Sequence, residues 1–189
     1  MVSDADRDAE AAIQEILLGE RPDDGLLGEE GAHSDGGSSG RRWVVDPLDG
    51  TTNFLYGLPA WAVSVALEDA DGGAVGAVHD PVRDELFTAA RGEGARLNGE
   101  PIRVTEPDGL GAALVATGFG YDAERRRTQA ERLVAVLPHV RDIRRAGAAA
   151  LDLCWVAAGR LDGYYERGLQ PWDWAAGSIL VTEAGGALR

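Results

Sequence analysis

Three observations predict an α/β layered fold for this chain of 189 residues. After one opening helix pattern, its first half is rich in strand patterns joined by Asp-Gly and Asn-Gly turns. Its second half alternates strand and helix patterns. Apolar residues make up 44% of the sequence, enough at this length for one domain with a genuine core.

Residues 3–18 predict a helix. Ala9, Ala12, Ile13, Ile16 and Leu17 recur at helical spacing, and Ser3 with Asp6 matches a capping-box start. Gly19 and Pro22 end it. Leu26-Leu27 is a short apolar run into Gly28-Glu29-Glu30. Residues 31–40, rich in Gly and Ser, read as a mobile hairpin tip or flap. Residues 61–68 alternate as a strand, and Asp71-Gly72 turns the chain into a second at 74–78. Residues 85–89 and 102–104 predict further strands, with Asn98-Gly99 as a turn between them. Strands at 113–117, 140–144 and 161–166 then alternate with helices at 123–137, 148–158 and 172–184. Pro138, Gly159 and Gly185-Gly186 close those helices.

Composition removes several function classes. The net charge of −14 makes a nucleic-acid backbone a poor partner. Arg125-Arg126-Arg127 lies in a Glu-containing helix pattern and reads as a solvated face; Arg144-Arg145 is the other basic cluster. Cys154 is the single cysteine, so a disulfide framework and a cysteine zinc site are excluded, and its apolar helix makes it a buried thiol. His33, His79 and His139 read as loop or surface residues. No segment has the apolar length of a membrane span, and the acidic start is unlike a signal peptide. A cytoplasmic protein without a membrane partner is the expectation.

The densest chemical signal is the run from Trp43 to Phe54, Trp-Val-Val-Asp-Pro-Leu-Asp-Gly-Thr-Thr-Asn-Phe. An apolar strand pattern ends in Asp46 and Asp49, and Pro47 restricts the turn between them so that their oxygens converge. Convergent hard oxygens suit Mg²⁺ or Ca²⁺, and Mg²⁺ commonly sits on carboxylates plus substrate phosphate. Gly50 and Thr51 can turn backbone N–H groups toward an anion. Glu29-Glu30 and Asp173 are the other acidic clusters. Taken alone, Asp173 reads as a helix N-cap, Glu29 as a solvated loop acid, and Asp6 as a first-turn residue complementing the helix dipole.

Three motifs in order carry a resemblance. Gly28-Glu29-Glu30, the run ending in Asp46-Pro47-Leu48-Asp49-Gly50-Thr51, and Trp172-Asp173-Trp174-Ala175-Ala176-Gly177 through Glu183-Ala184-Gly185-Gly186 together resemble the inositol monophosphatase family. That family comprises Mg²⁺-dependent, lithium-sensitive phosphatases. The resemblance implies a layered α-β-α-β-α sandwich of the sugar-phosphatase type, spanning 1–189 as one domain. It implies that Glu29, Asp46, Asp49, Asp173 and the Leu48 carbonyl are metal ligands for on the order of two or three Mg²⁺ ions. It places Glu29 and Thr51 as the pair orienting the attacking water, with Asp6 supporting Thr51. Substrate contacts fall on Asp49, Gly50, Thr51, Ala149, Glu166 and Asp173. It also implies a homodimer acting on a small phosphorylated polyol or sugar. Against the family pattern, the chain lacks the usual N-terminal helix and the β-α segment beyond Glu-Ala-Gly-Gly.

The chemistry is coherent on physical grounds. Two cations roughly 3.5–4 Å apart can clamp the attacking and leaving oxygens of an in-line displacement, one lowering the pKa of a bound water. Helix N-termini predicted near Ala149 and Asp173 would favour the phosphate. The expected activity is hydrolysis of inositol monophosphate. The alternatives are a related phosphatase acting on fructose 1,6-bisphosphate or histidinol phosphate, or a truncated non-catalytic relative.

Overall fold

Ser3 opens helix α1 (Asp4–Glu20) through the predicted capping box, with the Ser3 N–H donating to the Asp6 carboxylate at 2.7 Å. The computed structural model describes residues 3–35 and 38–189. Gly36 and Gly37, inside the predicted flap, lie outside the described residues. The face that α1 buries matches the predicted apolar one only in part: Ala9, Ile13 and Leu17 are half-buried, while Ala12 and Ile16 are exposed. Ile16 is 65% exposed, whereas Asp6 and Glu10 are buried against β3. Those two acids serve polar groups at the site, so their burial follows function rather than hydropathy.

An eight-stranded sheet follows. Its strands are β1 (Gly25–Gly28), β2 (His33–Ser34), β3 (Arg42–Asp49), β4 (Ala62–Asp69), β5 (Gly72–Asp80), β6 (Glu85–Ala90), β7 (Gly94–Leu97) and β8 (Glu100–Pro101). They lie in the order β2-β1-β3-β4-β5-β6-β7-β8. Only β1 and β3 pair in parallel; the others pair antiparallel. The hairpin turn between β1 and β2 is residues 29–32, so the predicted tip lies earlier than 31–40. A short helix, α2 (Thr51–Leu55), was not foreseen and leaves β3 directly after Gly50. His79 lies in β5 and is half-buried rather than in a loop. Residues 102–104 do not extend the sheet. The Ile102 N–H still donates to the Ala95 carbonyl of β7 at 3.0 Å, but the chain then turns away, and the Val104 N–H donates to the Ala184 carbonyl at 3.2 Å.

The second half builds a smaller sheet from β9 (Leu114–Thr117), β10 (Asp142–Arg144) and β11 (Gly163–Tyr165), all parallel, in the order β10-β9-β11. Helix α3 (Ala123–Val136) connects β9 to β10, and α4 (Ala149–Ala157) connects β10 to β11. The two crossovers run in opposite directions across the sheet, so right-handed connections put α3 and α4 on opposite faces. Helix α5 (Pro171–Glu183) packs beside α4 and along β3 to β7. The layers are α1, the large sheet, α4 with α5, the small sheet and α3. The predicted α/β sandwich is the observed one.

The core lies between the large sheet and α4/α5. Val44, Val78 and Phe87 from the sheet meet Leu151, Cys154, Ala176 and Leu180, all at 1% exposure or less. Val45, one residue along β3, is also fully buried and points to the opposite face, toward α1. Arg125, Arg126 and Arg127 are exposed on α3, and Cys154 is a buried thiol, both as predicted. Leu180→Ala is expected to cost about 2–5 kcal/mol of unfolding free energy, since it opens a cavity where α5 meets the sheet. Urea denaturation checks this, and a loss under about 1 kcal/mol would mean that α5 is not anchored there.

Candidate active site

Residues three apart on a plain strand point to opposite faces. Asp46 and Asp49 do not, because β3 carries a bulge between them. Asp46 pairs with Ser64 and Asp49 with Ala62, so three steps on β3 answer two on β4. The extra residue swings both carboxylates to one side. Pro47 suits the bulge because it has no N–H that the ladder could use. The expected turn is thus a bulge inside the strand. Both side chains are buried, at 1% and 7% exposure.

Backbone amides hold these acids in place. The Leu48 N–H donates to Asp46 Oδ1 at 2.9 Å. Asp49 accepts from the Ala149 and Ala150 N–H groups at 3.2 and 2.6 Å. Those are the first amides of α4, so its N-terminal field acts on the Asp49 carboxylate. Thr51 opens α2 behind Gly50, which sits in the left-handed region at φ 93°. The Thr51 hydroxyl lies 3.1 Å from both Asp6 Oδ1 and the Leu48 carbonyl. One hydroxyl proton serves one acceptor at a time, leaving the Thr51 oxygen free to accept from another group.

Glu29 reaches Asp46 from the β1–β2 turn through a side-chain hydrogen bond. Asp173 lies at the third position of α5, not at its N-cap. Gln170 is the cap, and its N–H donates to Asp173 Oδ2 at 2.6 Å. Beside these acids lies a cleft of about 120 Å³. Asp49, Ala149, Glu166 and Asp173 line it, while Glu29, Asp46, Gly50 and Thr51 do not. Its remaining walls come from segments that follow β9, β10 and β11, at the carboxyl ends of the parallel strands. That is where open α/β sheets bind ligands when the strand order reverses.

Three lining or supporting residues received no site role from the sequence. Arg145 is an exposed cation at the cleft wall. Asp152 is 1% exposed, one of its carboxylate oxygens has no hydrogen-bond partner, and a charged residue within the apolar run of α4 is the signal that could have found it. Asn53 donates to the Ala60 and Ala146 carbonyls at 2.6 and 2.9 Å, tying α2 to the loop before α4.

Electrostatics make the cluster unusual. Burial first, then Asp49 and Glu29, pushes Asp46 well above the usual carboxylate range. Burial and neighbouring Asp173 and Glu29 push Asp49 from 3.8 to about 7 against the pull of the α4 amides. Glu29 is exposed as a residue of the turn, yet partial withdrawal of its carboxyl from water pushes it to about 6, although Asp46 hydrogen-bonds it; Asp173, Glu30 and Asp6 add repulsion. Burial likewise raises Asp173. The side chains that act most strongly on Glu29, Asp46 and Asp49 are all carboxylates. Such a hard-oxygen set chemically fits Mg²⁺. Among the described residues, no three His, Cys, Asp or Glu side chains already close around one point as ligands would.

A family model described as "Inositol monophosphatase family" matches residues 1–189. The chain belongs to the inositol monophosphatase family. It is 51% identical over 189 residues to the inositol-1-monophosphatase of Rhizobium meliloti, covering 98% of this chain and 70% of that protein. It is 44% identical over 186 residues to Nus factor SuhB of Haemophilus influenzae, again covering 98% and 70%. The structure of extragenic suppressor protein suhB from Bartonella henselae matches with a TM-score of 0.92 at 48% identity, covering 97% of this chain and 72% of that one. Membership in the inositol monophosphatase family implies a metal-dependent phosphatase fold and a phosphorylated small-molecule substrate. Among the described residues, no helix is long and apolar enough to cross a membrane.

The raised carboxylates set a pH dependence. An acid whose folded-state pKa exceeds its unfolded value holds its proton longer when folded. Its contribution to stability is therefore present below the unfolded value and lost as pH rises through the folded one. For Asp49 that window runs from 3.8 to about 7, and for Glu29 from 4.5 to about 6. In EDTA the thermal midpoint should fall between pH 4 and 7, and excess Mg²⁺ should offset the fall by binding the ionised acids. A midpoint that is flat across this range and insensitive to Mg²⁺ would contradict the electrostatic reading.

Proposed function

We propose that this chain is a Mg²⁺-dependent phosphomonoesterase that hydrolyses inositol monophosphate through direct attack by water. The observation that carries the reading is the convergence of Asp46 and Asp49 at the β3 bulge, with Glu29 hydrogen-bonded to Asp46 and the cleft opening beside Asp49 and Asp173. Glu29, Asp46, Asp49, Asp173 and the Leu48 carbonyl would hold on the order of two or three Mg²⁺ ions. Bound there, the metal supplies a lowered water pKa and charge neutralisation at the leaving oxygen.

The other roles belong to this chain's own groups. Thr51, with its hydroxyl proton directed to Asp6 or Leu48, offers an oxygen that accepts from the attacking water, and Glu29 is its partner in that task. The backbone of Gly50 and Thr51 receives the phosphate. Ala149, Glu166 and Asp173 line the cleft wall where the polyol ring would lie. The Tyr164 hydroxyl donates to Glu166 Oε2 at 2.5 Å, which fixes that carboxylate toward ring hydroxyls. Direct attack needs no covalent nucleophile, consistent with the buried state of Cys154. The same reading takes the chain as a cytoplasmic homodimer, and its charge of −14 argues against a nucleic-acid or membrane partner.

Phosphate release from inositol 1-phosphate, fructose 1,6-bisphosphate and histidinol phosphate, assayed in parallel with Mg²⁺, should favour the first. Preference for either of the others would move the assignment to a different sugar phosphatase, and no turnover at all would favour a non-catalytic relative. Asp46→Asn, Asp49→Asn and Asp173→Asn should each lower turnover by at least about 100-fold, since several kcal/mol of charge stabilisation is removed. Near-normal turnover in one of them would remove that residue from the metal set. Millimolar-scale lithium is expected to inhibit; an indifferent enzyme would count against the inositol type.

A further inference from the structure

Glu10 stands one helical turn after Asp6 on the buried face of α1, at i and i+4. It is only 5% exposed, and among the described residues no arginine or lysine pairs with it. A buried carboxylate of this kind is costly unless hydrogen bonds satisfy it. Both of its oxygens are used on one target. Oε2 accepts from the Glu30 N–H and Oε1 from the Ala32 N–H, each at 2.9 Å. Glu30 and Ala32 belong to the turn between β1 and β2, which also carries Glu29.

The backbone donors of this turn can be accounted for almost completely. The Gly28 N–H donates to the Ala32 carbonyl at 2.8 Å, and the Glu29 N–H donates to Val45 of β3 at 3.2 Å. The Glu30 and Ala32 N–H groups go to Glu10. Thus β3 fixes the base of the turn and α1 fixes its crest, with Glu29 between. Gly28 keeps the space open: a Cβ there would lie 2.1 Å from Glu10 Oε2. Charge-assisted bonds from a carboxylate to backbone amides are roughly twice as strong as neutral ones. Two of them, from one rigid helix, restrict where the Glu29 carboxylate can reach.

We propose that Glu10 is a positioning residue for the metal site, acting through the turn to hold Glu29 against Asp46. This rests on the proposed assignment of Glu29 and Asp46 as Mg²⁺ ligands. A carboxylate accepts with both oxygens, whereas glutamine would turn an NH₂ toward one of the two amides. Glu10→Gln keeps the shape and breaks half of the clamp. Gly28→Ala approaches the same contact from the other side, by displacing the carboxylate.

The test uses the full chain and MgCl₂ as the titrant. Calorimetry on wild type, Glu10→Gln and Gly28→Ala is paired with turnover of inositol 1-phosphate as a function of Mg²⁺. Both variants should lose about 10–100-fold in Mg²⁺ affinity, the usual effect of removing a group that orients a ligand. Saturating Mg²⁺ should return kcat to nearly the wild-type value, and far-UV circular dichroism should be unchanged. Wild-type affinity in either folded variant overturns the proposal. So does a reduced kcat that excess Mg²⁺ does not restore, because that marks a structural role only. If Glu10→Gln does not fold, Gly28→Ala carries the test alone. Wild type that binds no Mg²⁺ overturns the metal site itself, and this proposal with it.

Discussion

One inserted residue in β3 is the constraint on which the site depends. Without the bulge at Pro47 and Leu48, Asp46 and Asp49 would face opposite sides of the sheet, one toward α1 and the other toward α4 and α5. With it, two buried carboxylates share a side, and each must be held against the repulsion of the other. The surrounding structure supplies dipoles rather than countercharges. The Leu48 amide bonds Asp46, and the N-terminus of α4 is aimed at Asp49. This is why α4, from the second half of the chain, must dock on a strand a hundred residues earlier before the site can form.

The same docking joins two kinds of sheet. The large, mostly antiparallel sheet contributes the acid cluster, while the small parallel sheet contributes a cleft at the carboxyl ends of its strands. Asp49 and Asp173 lie on the border and belong to both. The division suits a hydrolase whose metal-binding and substrate-recognising groups must meet at one phosphate. Recognition residues can then vary on the loops after β9, β10 and β11 while the acid cluster stays on rigid elements.

Much of this was readable from residue types and spacing. The strands around Asp-Gly and Asn-Gly turns, the alternation in the second half and the ends of α3, α4 and α5 all follow local rules that tertiary structure did not override. The acids of the site were readable because three separate motifs carry them. The bulge was not readable, since Asp-Pro-Leu-Asp describes a turn and a bulged strand equally well. The buried face of α1 was legible only in part: Ala9, Ile13 and Leu17 turn inward, but Asp6 and Glu10, not Ile16, complete the face because they find partners. Residues 102–104 have strand composition, yet after one more bond, from the Ile102 N–H to β7, the chain leaves for the end of α5.

Helix α1 shows how acids come to be concentrated rather than dispersed. Asp6 receives the Thr51 hydroxyl, and Glu10 receives two amides of the turn bearing Glu29, so each is held by donors instead of by cations. Pairing them with arginines would stabilise the helix but would also place positive charge beside the cluster. That charge would compete with a divalent cation for the carboxylates and weaken its binding. Amide donors carry no net charge, so they orient the acids and leave the field negative. Arg145 instead stands at the cleft wall, where its charge acts on Asp152 and Glu166 and opposes their upward shifts. None of the side chains that act most strongly on Glu29, Asp46 and Asp49 is a cation. The cluster is thus left electrostatically open to a metal, while the cleft beside it is lined by charges of both signs.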